Sequence, residues 1–297
     1  MTDATSLFLT PRSADFVAEA NGVDLRQPLP PSVAAAIEAA MDRYAVLIFP
    51  GQLLGDAQQV AFARNFGPLE DDPTQVALDQ RRLTNPDMTD VSNLDAQGRI
   101  MQVDNRRRLA NLGNRLWHSD SSFKRTPAKY SFLHCRIAAP EGGETEFADM
   151  RAAWDALPEK TKAKVRDLVC EHSLLFSRRQ LGFTDFTDTE REKHKPVRQR
   201  LVRRHAGSGR LVLYLSAHIG AIVDWPVPEA LALLRDLGEH ATQREFVYRH
   251  HWRQNDLIIW DNRATMHRVR AFDDLEHPRD MRRVTLKDSA PTLEQAA

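Results

Sequence analysis

The sequence predicts a mainly β fold with appended helices, a jelly-roll barrel formed as one domain over residues 1–297. Three observations carry this. Short apolar runs at strand spacing dominate from Leu116 onward. Only a few segments show helical spacing. No internal repeat, low-complexity tract or linker divides the 297 residues, a length that β barrels accommodate as a single unit.

The elements follow in order. A short opening strand is expected within Asp15–Leu25. Ser32 is placed to cap a helix over Val33–Arg43, where Ala, Val and Ile recur at helical spacing. Ala45–Phe49 is an apolar run ended by Pro50–Gly51, the pattern of a buried strand. Asp56 is placed to cap a second helix, stopped by Gly67–Pro68. Residues 69–113 are mostly polar and read as a lid or inserted loop, with only Asp90–Leu94 strand-like. Strands are then expected at Tyr130–Ile137, Glu144–Ala148, Leu211–Ser216, Glu245–His250, Leu257–Asp261 and Met281–Leu286. Helices at Pro158–Cys170 and Pro228–His240, each opening on proline, interrupt them. The tail, residues 288–297, is expected to fray.

Composition removes several functional classes. Lys plus Arg (41) equals Asp plus Glu (41), so no net charge recruits nucleic acid or a membrane surface. The local clusters Arg106–Arg108 and Arg198–Arg204 read as solvated faces. The two cysteines, Cys135 and Cys170, form no framework and no C-x-x-C pair, which points to a reducing compartment. Met1–Arg12 lacks the pattern of a signal peptide, and no run reaches the roughly 18 apolar residues of a membrane helix. A cytoplasmic protein acting on a small molecule is expected, with a homo-oligomer left open.

The chemistry starts at Trp117-His118-Ser119-Asp120. Residues two apart on an extended strand share a face, so His118 and Asp120 can offer an imidazole nitrogen and a carboxylate oxygen to one metal. H-x-D alone is common. Of eleven histidines, His267 has the best context, following the strand Leu257–Asp261 and a turn that would carry it back across the barrel. Two histidines and one carboxylate on one face leave coordination positions open for a co-substrate and O₂. The same set binds zinc, so it does not by itself select iron.

Four segments in order, GNRLWHSDSSF, GGETEFADMRAAWDAL, WDNRATMHR and PRDMRR, resemble the taurine dioxygenase family of Fe(II)- and 2-oxoglutarate-dependent dioxygenases. Within it the likeness is to enzymes that cleave 2,4-dichlorophenoxyacetate and related aryloxyalkanoates. It runs from about Asp24 to Thr285 and is strongest over Asn111–Leu175 and Leu257–Thr285. The resemblance implies a double-stranded β-helix, Fe(II) held by His118, Asp120 and His267, 2-oxoglutarate as co-substrate, and O₂.

A distal carboxylate calls for a cation, and arginine meets it with two parallel bonds. On a strand Arg279, Met281 and Arg283 share a face while Arg282 points away, which makes either an anion pocket or an exposed basic face. The resemblance implies that Arg279 holds the distal carboxylate of 2-oxoglutarate and Arg283 the acid group of the primary substrate. It further implies that the Thr145 hydroxyl helps Arg279 and that Asn114 lies near the open metal face. Trp117, out of phase with His118, is expected to point into the core. His218 either lines the substrate pocket or is a core histidine. His172, His205 and His251 read as structural.

The expected reaction hydroxylates the carbon beside an aryl ether oxygen, and the product collapses to a phenol and glyoxylate. Alternatives are the same chemistry on a sulfonate such as taurine, a metal hydrolase using the triad to activate water, and a non-catalytic jelly roll that binds an organic acid.

Overall fold

The computed structural model describes residues 5–71 and 81–295. Along the chain run β1 (Thr5–Pro11), β2 (Val17–Val23), α1 (Pro31–Tyr44), β3 (Val46–Phe49), α2 (Asp56–Ala63), β4 (Thr89–Asp90), α3 (Arg106–Asn111), β5 (Ala128–Ile137), β6 (Thr145–Asp149), α4 (Met150–Asp155), α5 (Glu159–Val165) and β7 (Val169–His172). Then follow α6 (Leu174–Arg179), α7 (Asp188–Lys193), β8 (Val197–Arg200), β9 (Val202–Arg204), β10 (Leu211–Leu213), β11 (Ile219–Ile222), α8 (Val227–Ala241), β12 (Val247–His250), β13 (Leu257–Asp261), β14 (Thr265–Val269) and β15 (Asp280–Lys287).

Seven strands form the main sheet in the order β1-β2-β3-β13-β5-β15-β4. Its central strands are apolar on both faces, which is why they read as continuous runs. In β3, Leu47 and Phe49 face one cluster with Ile37 and Met41 of α1, while Val46 and Ile48 face another. That second cluster contains Trp260 of β13 and Phe147 of β6, so the three-stranded sheet β12-β6-β14 packs over the main sheet. The candidate site lies between these two sheets. A further three-stranded sheet, β11-β7-β8, and the hairpin β9–β10 belong to a third cluster with α4 and α8. The architecture is mainly β with helices, and among the described residues the ladders stay as four separate sheets.

Several expectations are corrected. The first helix begins at Pro31, with no side-chain cap, because proline fixes a helical φ at the first turn and Ser32 falls inside. Asp56 is the first helical residue rather than the cap; Gly55 flanks it and its N–H donates to the Gln58 side chain. The helix expected over Pro158–Cys170 stops at Val165, and Cys170 sits in the buried strand β7. Leu211–Ser216 yields a strand only to Leu213, and Glu245 belongs to a 3₁₀ turn before β12. The tail is docked as far as residue 295. Thr292 is fully buried, donates from its hydroxyl to Gln199 and accepts from the Arg200 N–H, while Asp288 pairs with Arg203. Within 69–113, residues 72–80 lie outside the described set. Asp90–Leu94 runs beside β15, with the N–H groups of Val91 and Asn93 donating to Met281 and Arg279.

Candidate metal and anion site

The two histidines meet across a single antiparallel bridge. The His118 N–H donates to the His267 carbonyl at 3.0 Å and the His267 N–H to the His118 carbonyl at 2.8 Å. Opposed residues of an antiparallel pair present their side chains to the same face. Here the imidazole centroids stand 4.2 Å apart. His118 Nδ1 lies 2.7 Å from the Leu116 carbonyl, an acceptor, so Nδ1 carries the proton and Nε2 keeps its lone pair.

The expected extended strand through His118 and Asp120 is not formed. Only His118 is bridged, and Asp120 opens a turn in which Ser121 takes a left-handed φ of 52°. A network holds Asp120 in place of a strand. Its N–H donates to Asn262 Oδ1 at 3.0 Å, Ser131 Oγ donates to its Oδ2 at 2.7 Å, and Arg283 donates to its Oδ1 at 2.6 Å. Asn262 is itself tied to Ser131 and to the Trp260 indole. Burial by itself would raise the Asp120 carboxyl, but Arg283, His267 and His118 outweigh it and bring it down to about 2. Burial pulls both imidazoles below their ordinary value, His267 well below it.

His118 Nε2 lies 3.8 Å from Asp120 Oδ1, and His267 Nε2 lies 3.8 Å from Oδ2. One donor atom from each residue falls within 4.8 Å of the others, and all three residues are buried. Donors at about 2.0–2.2 Å from a metal, at right angles, stand roughly 3 Å apart, so a small closure would seat an ion. Two neutral imidazoles and an ionised carboxylate fit a divalent transition metal.

From this point a cleft, open to solvent, extends past His118, His267, Asn114, Thr145, Arg279 and Arg283. Arg279 is buried without a carboxylate within ion-pair distance among the described residues, and burial pulls its guanidinium down to about 10. The Arg279 backbone N–H donates to Asn93 Oδ1 at 2.8 Å, and Asn93 Nδ2 donates to the carbonyls of Asp274 and His277. Gly143, at φ 69°, permits the approach, since a Cβ there would lie 3.2 Å from Arg279 Nε. Thr145 Oγ1 accepts from the Trp252 indole at 2.9 Å, which leaves its own proton for an anion. At the rim, Asp274 pairs with Arg108 at 2.9 Å and with Arg115 at 3.5 Å.

The expected sharing of a face by Arg279 and Arg283 holds, even though the register shifts between Asp280 and Met281. Arg282 points away and pairs with Asp56 at 2.6 Å. Arg283 was expected to be free for an outside anion; instead one of its nitrogens is committed to Asp120. Trp117 turns from the metal face into the cluster beneath α8, with Arg268 over its ring. His218 lies outside the cleft lining. It stands behind His118 at 6.0 Å between ring centroids, and its Nδ1 lies 2.9 Å from Ser177 Oγ. His205 is structural, bonded to Asp261 at 2.8 Å, His172 stacks on Tyr214, and His251 is exposed. The sequence reading missed Asn93, Ser131 and Asn262. The available signal for Asn262 was an amide directly after a fully apolar strand, where a buried polar group must bond to something.

A buried two-histidine, one-carboxylate centre, on a mainly β frame and beside a cleft holding an unpaired arginine, defines a non-haem metal oxygenase that works with a small acidic co-substrate. The chain belongs to the family described as taurine catabolism dioxygenase TauD, TfdA family, whose profile matches residues 9–285. It is 45% identical over 285 residues to the alpha-ketoglutarate-dependent 2,4-dichlorophenoxyacetate dioxygenase of Cupriavidus pinatubonensis, covering 96% of this chain and 99% of that one. It is 34% identical to the (S)-phenoxypropionate/alpha-ketoglutarate-dioxygenase of Delftia acidovorans, covering 91% of each. Among solved structures it is similar to AAD-2 in complex with Mn(II) and N-oxalylglycine, with a TM-score of 0.94 and 53% identity over 97% of this chain and 99% of the other.

Proposed function

We propose that the chain is an Fe(II)- and 2-oxoglutarate-dependent dioxygenase acting on aryloxyalkanoic acids. The observation that carries this is the buried, carboxylate-free Arg279 in the same cleft as the His118–Asp120–His267 cluster, in a chain 45% identical to a 2,4-dichlorophenoxyacetate dioxygenase. In the proposed reaction an aryloxyacetate, 2-oxoglutarate and O₂ give the hydroxylated ether, succinate and CO₂. The new hemiacetal then breaks its C–O bond to release a phenol and glyoxylate.

His118, Asp120 and His267 would hold the iron, which when bound supplies the oxygen chemistry. Arg279 meets the distal carboxylate of 2-oxoglutarate with its fork, and the Thr145 hydroxyl donates to the same group. Arg283 orients the acid group of the primary substrate from beside Asp120, and Asn114 borders the open side of the metal. Trp260 and Leu133 form apolar wall that keeps water from the reacting carbon. His218 acts from behind His118 rather than on substrate.

The same reading takes the chain as one catalytic domain with the double-stranded β-helix of its family, which the packing of β12-β6-β14 over the main sheet supports. The described part of 69–113, with Asn93 and Arg108 in the cleft lining, serves as its lid. Among the described residues no helix is long and apolar enough to cross a membrane. The cytoplasmic assignment rests on the two unpaired, buried cysteines.

The test is to load the protein anaerobically with Fe(II) and 2-oxoglutarate, admit O₂, and measure succinate against aryloxyalkanoates, sulfonates and aromatic acids. Aryloxyalkanoates should stimulate it most and yield a phenol. Preference for taurine keeps the reaction and overturns the substrate class; absence of succinate overturns both.

A further inference from the structure

Six arginines are buried among the described residues: Arg151, Arg178, Arg203, Arg263, Arg279 and Arg283. Four are neutralised by a carboxylate, at 2.9 Å for Arg151–Asp149 and 2.6 Å for Arg203–Asp288, Arg263–Asp261 and Arg283–Asp120. Among the described residues Arg178 and Arg279 have no carboxylate within ion-pair distance. A buried cation without a counter-ion is costly to hold, and such groups are paired in the working state. Arg279 is accounted for by the co-substrate. Arg178 is not.

Arg178 is on the last turn of α6. Its Nη1 donates to Ser177 Oγ at 3.2 Å, its Nε has no hydrogen-bond partner, and the residue is 6% exposed. Ser177 links it to His218, which stands behind the metal ligand His118. The guanidinium lies against Gly113, where a Cβ would come 2.1 Å from Nη1. Gly113 sits between Leu112 and Asn114, and both of these line the cleft. The charge is close enough to Arg283 for the two to repel, and this repulsion adds to burial in pulling the Arg178 guanidinium down to about 10. Two arginines that repel each other near one metal centre, one of them half-committed to Asp120, form a place that an external anion would relieve.

We infer that Arg178 is a second cation for the acid group of the primary substrate, sharing that carboxylate with Arg283 while Gly113 leaves the room for its guanidinium. This rests on the aryloxy acid reading above. It makes Arg178 a specificity-determining residue for anionic over neutral substrates, and it assigns Gly113 a reason to lack a side chain.

The experiment compares phenoxyacetate with the neutral phenoxyacetamide in wild type, Arg178→Met and Arg178→Lys, using Fe(II)-loaded protein. Removing the charge should raise KM for phenoxyacetate about tenfold or more and leave KM for the amide unchanged. Iron content and the KM for 2-oxoglutarate should stay at wild-type values. Lysine, which keeps the charge without the fork, should recover most of the loss. An unchanged KM for the acid overturns the inference, and so does an equal rise for acid and amide, which would mark a packing role. Arg178→Gln, which can still bond Ser177, replaces the Met variant if that one does not fold; failure of both to fold assigns Arg178 to structure and also overturns it. A wild type that releases no succinate with any aryloxy acid sinks the functional reading itself. A wild type that responds to phenoxyacetate, with variants that keep its KM for the acid, sinks only this inference.

Discussion

At the scale of single residues, the site depends on a few charges that have nowhere else to go. His118→Ala and Asp120→Ala each remove one of three metal donors and should abolish stoichiometric Fe(II) binding and turnover in protein that stays folded, as iron analysis and circular dichroism would show. Wild-type turnover in either variant would remove the assignment. Arg279→Ala takes a bidentate cation from a buried carboxylate, a loss of about 2–5 kcal/mol, so KM for 2-oxoglutarate should rise roughly tenfold or more with iron retained. An unchanged KM would shift the role to another cation. The clustering of His118, Asp120 and His267 and the place of Arg279 in the same cleft were legible in the sequence because motif order, and not spacing alone, pointed to them. Asn93 and Asn262 were not, because an amide's importance lies in which distant backbone groups it reaches, and those are set by the fold. The commitment of Arg283 to Asp120 was invisible for the same reason: 163 residues separate the partners.

At the scale of elements, the turn Asp261–Thr265 and the strand β14 present His267. Asp261 is fully buried; burial opposes its charge, but Arg263 and His205 outweigh that and hold the carboxyl far below its usual range. It also caps its own turn, accepting from the Arg263 N–H at 2.8 Å. Asp261→Asn would leave a buried guanidinium without its partner and should cost about 3–5 kcal/mol in urea denaturation. Because the folded-state value lies below the unfolded one, the carboxylate's contribution is complete above about pH 4 and falls away as the pH drops below it. The gap between wild type and variant should therefore shrink in acid; a gap that stays constant to pH 2 would contradict the ion-pair account. Asn93→Ala frees the loop that ends at Arg279 without removing any charge. It should raise KM for 2-oxoglutarate and leave iron binding intact; kinetics identical to wild type would show that the loop holds itself. The strands β3 and β13 were readable from apolar runs. The lack of a strand at H-x-D was not, since side-chain bonds to Asp120 replace the ladder and no two-residue alternation records them.

At the scale of the molecule, the two-sheet frame was legible as many short strands, while the docking of the tail was not. Residues 288–295 are polar, and the bonds of Asp288 and Thr292 to β8 and β9 hold them. Because iron and 2-oxoglutarate bind only the folded site, adding both at about a hundred times their dissociation constants should stabilise the protein by roughly 2.7 kcal/mol for each. Thermal melts should rise by several degrees with Fe(II) plus 2-oxoglutarate and not rise in His118→Ala. A rise that persists in that variant would place the metal elsewhere. The position of β15 has one more consequence. This strand, carrying Arg283 and preceded by Arg279, is inserted between β5 and β4 rather than added at an edge. Its partner β5 was synthesised some 150 residues earlier, about 8–30 seconds before it at ordinary rates of translation. Until β13 is made this strand has neither partner, and from then until β15 it stands with one edge unpaired, the template on which chains join one another. The exposure lasts until β15 is made, and a chain cut short before Asp280 would keep His118, Asp120 and His267 yet present that bare edge permanently.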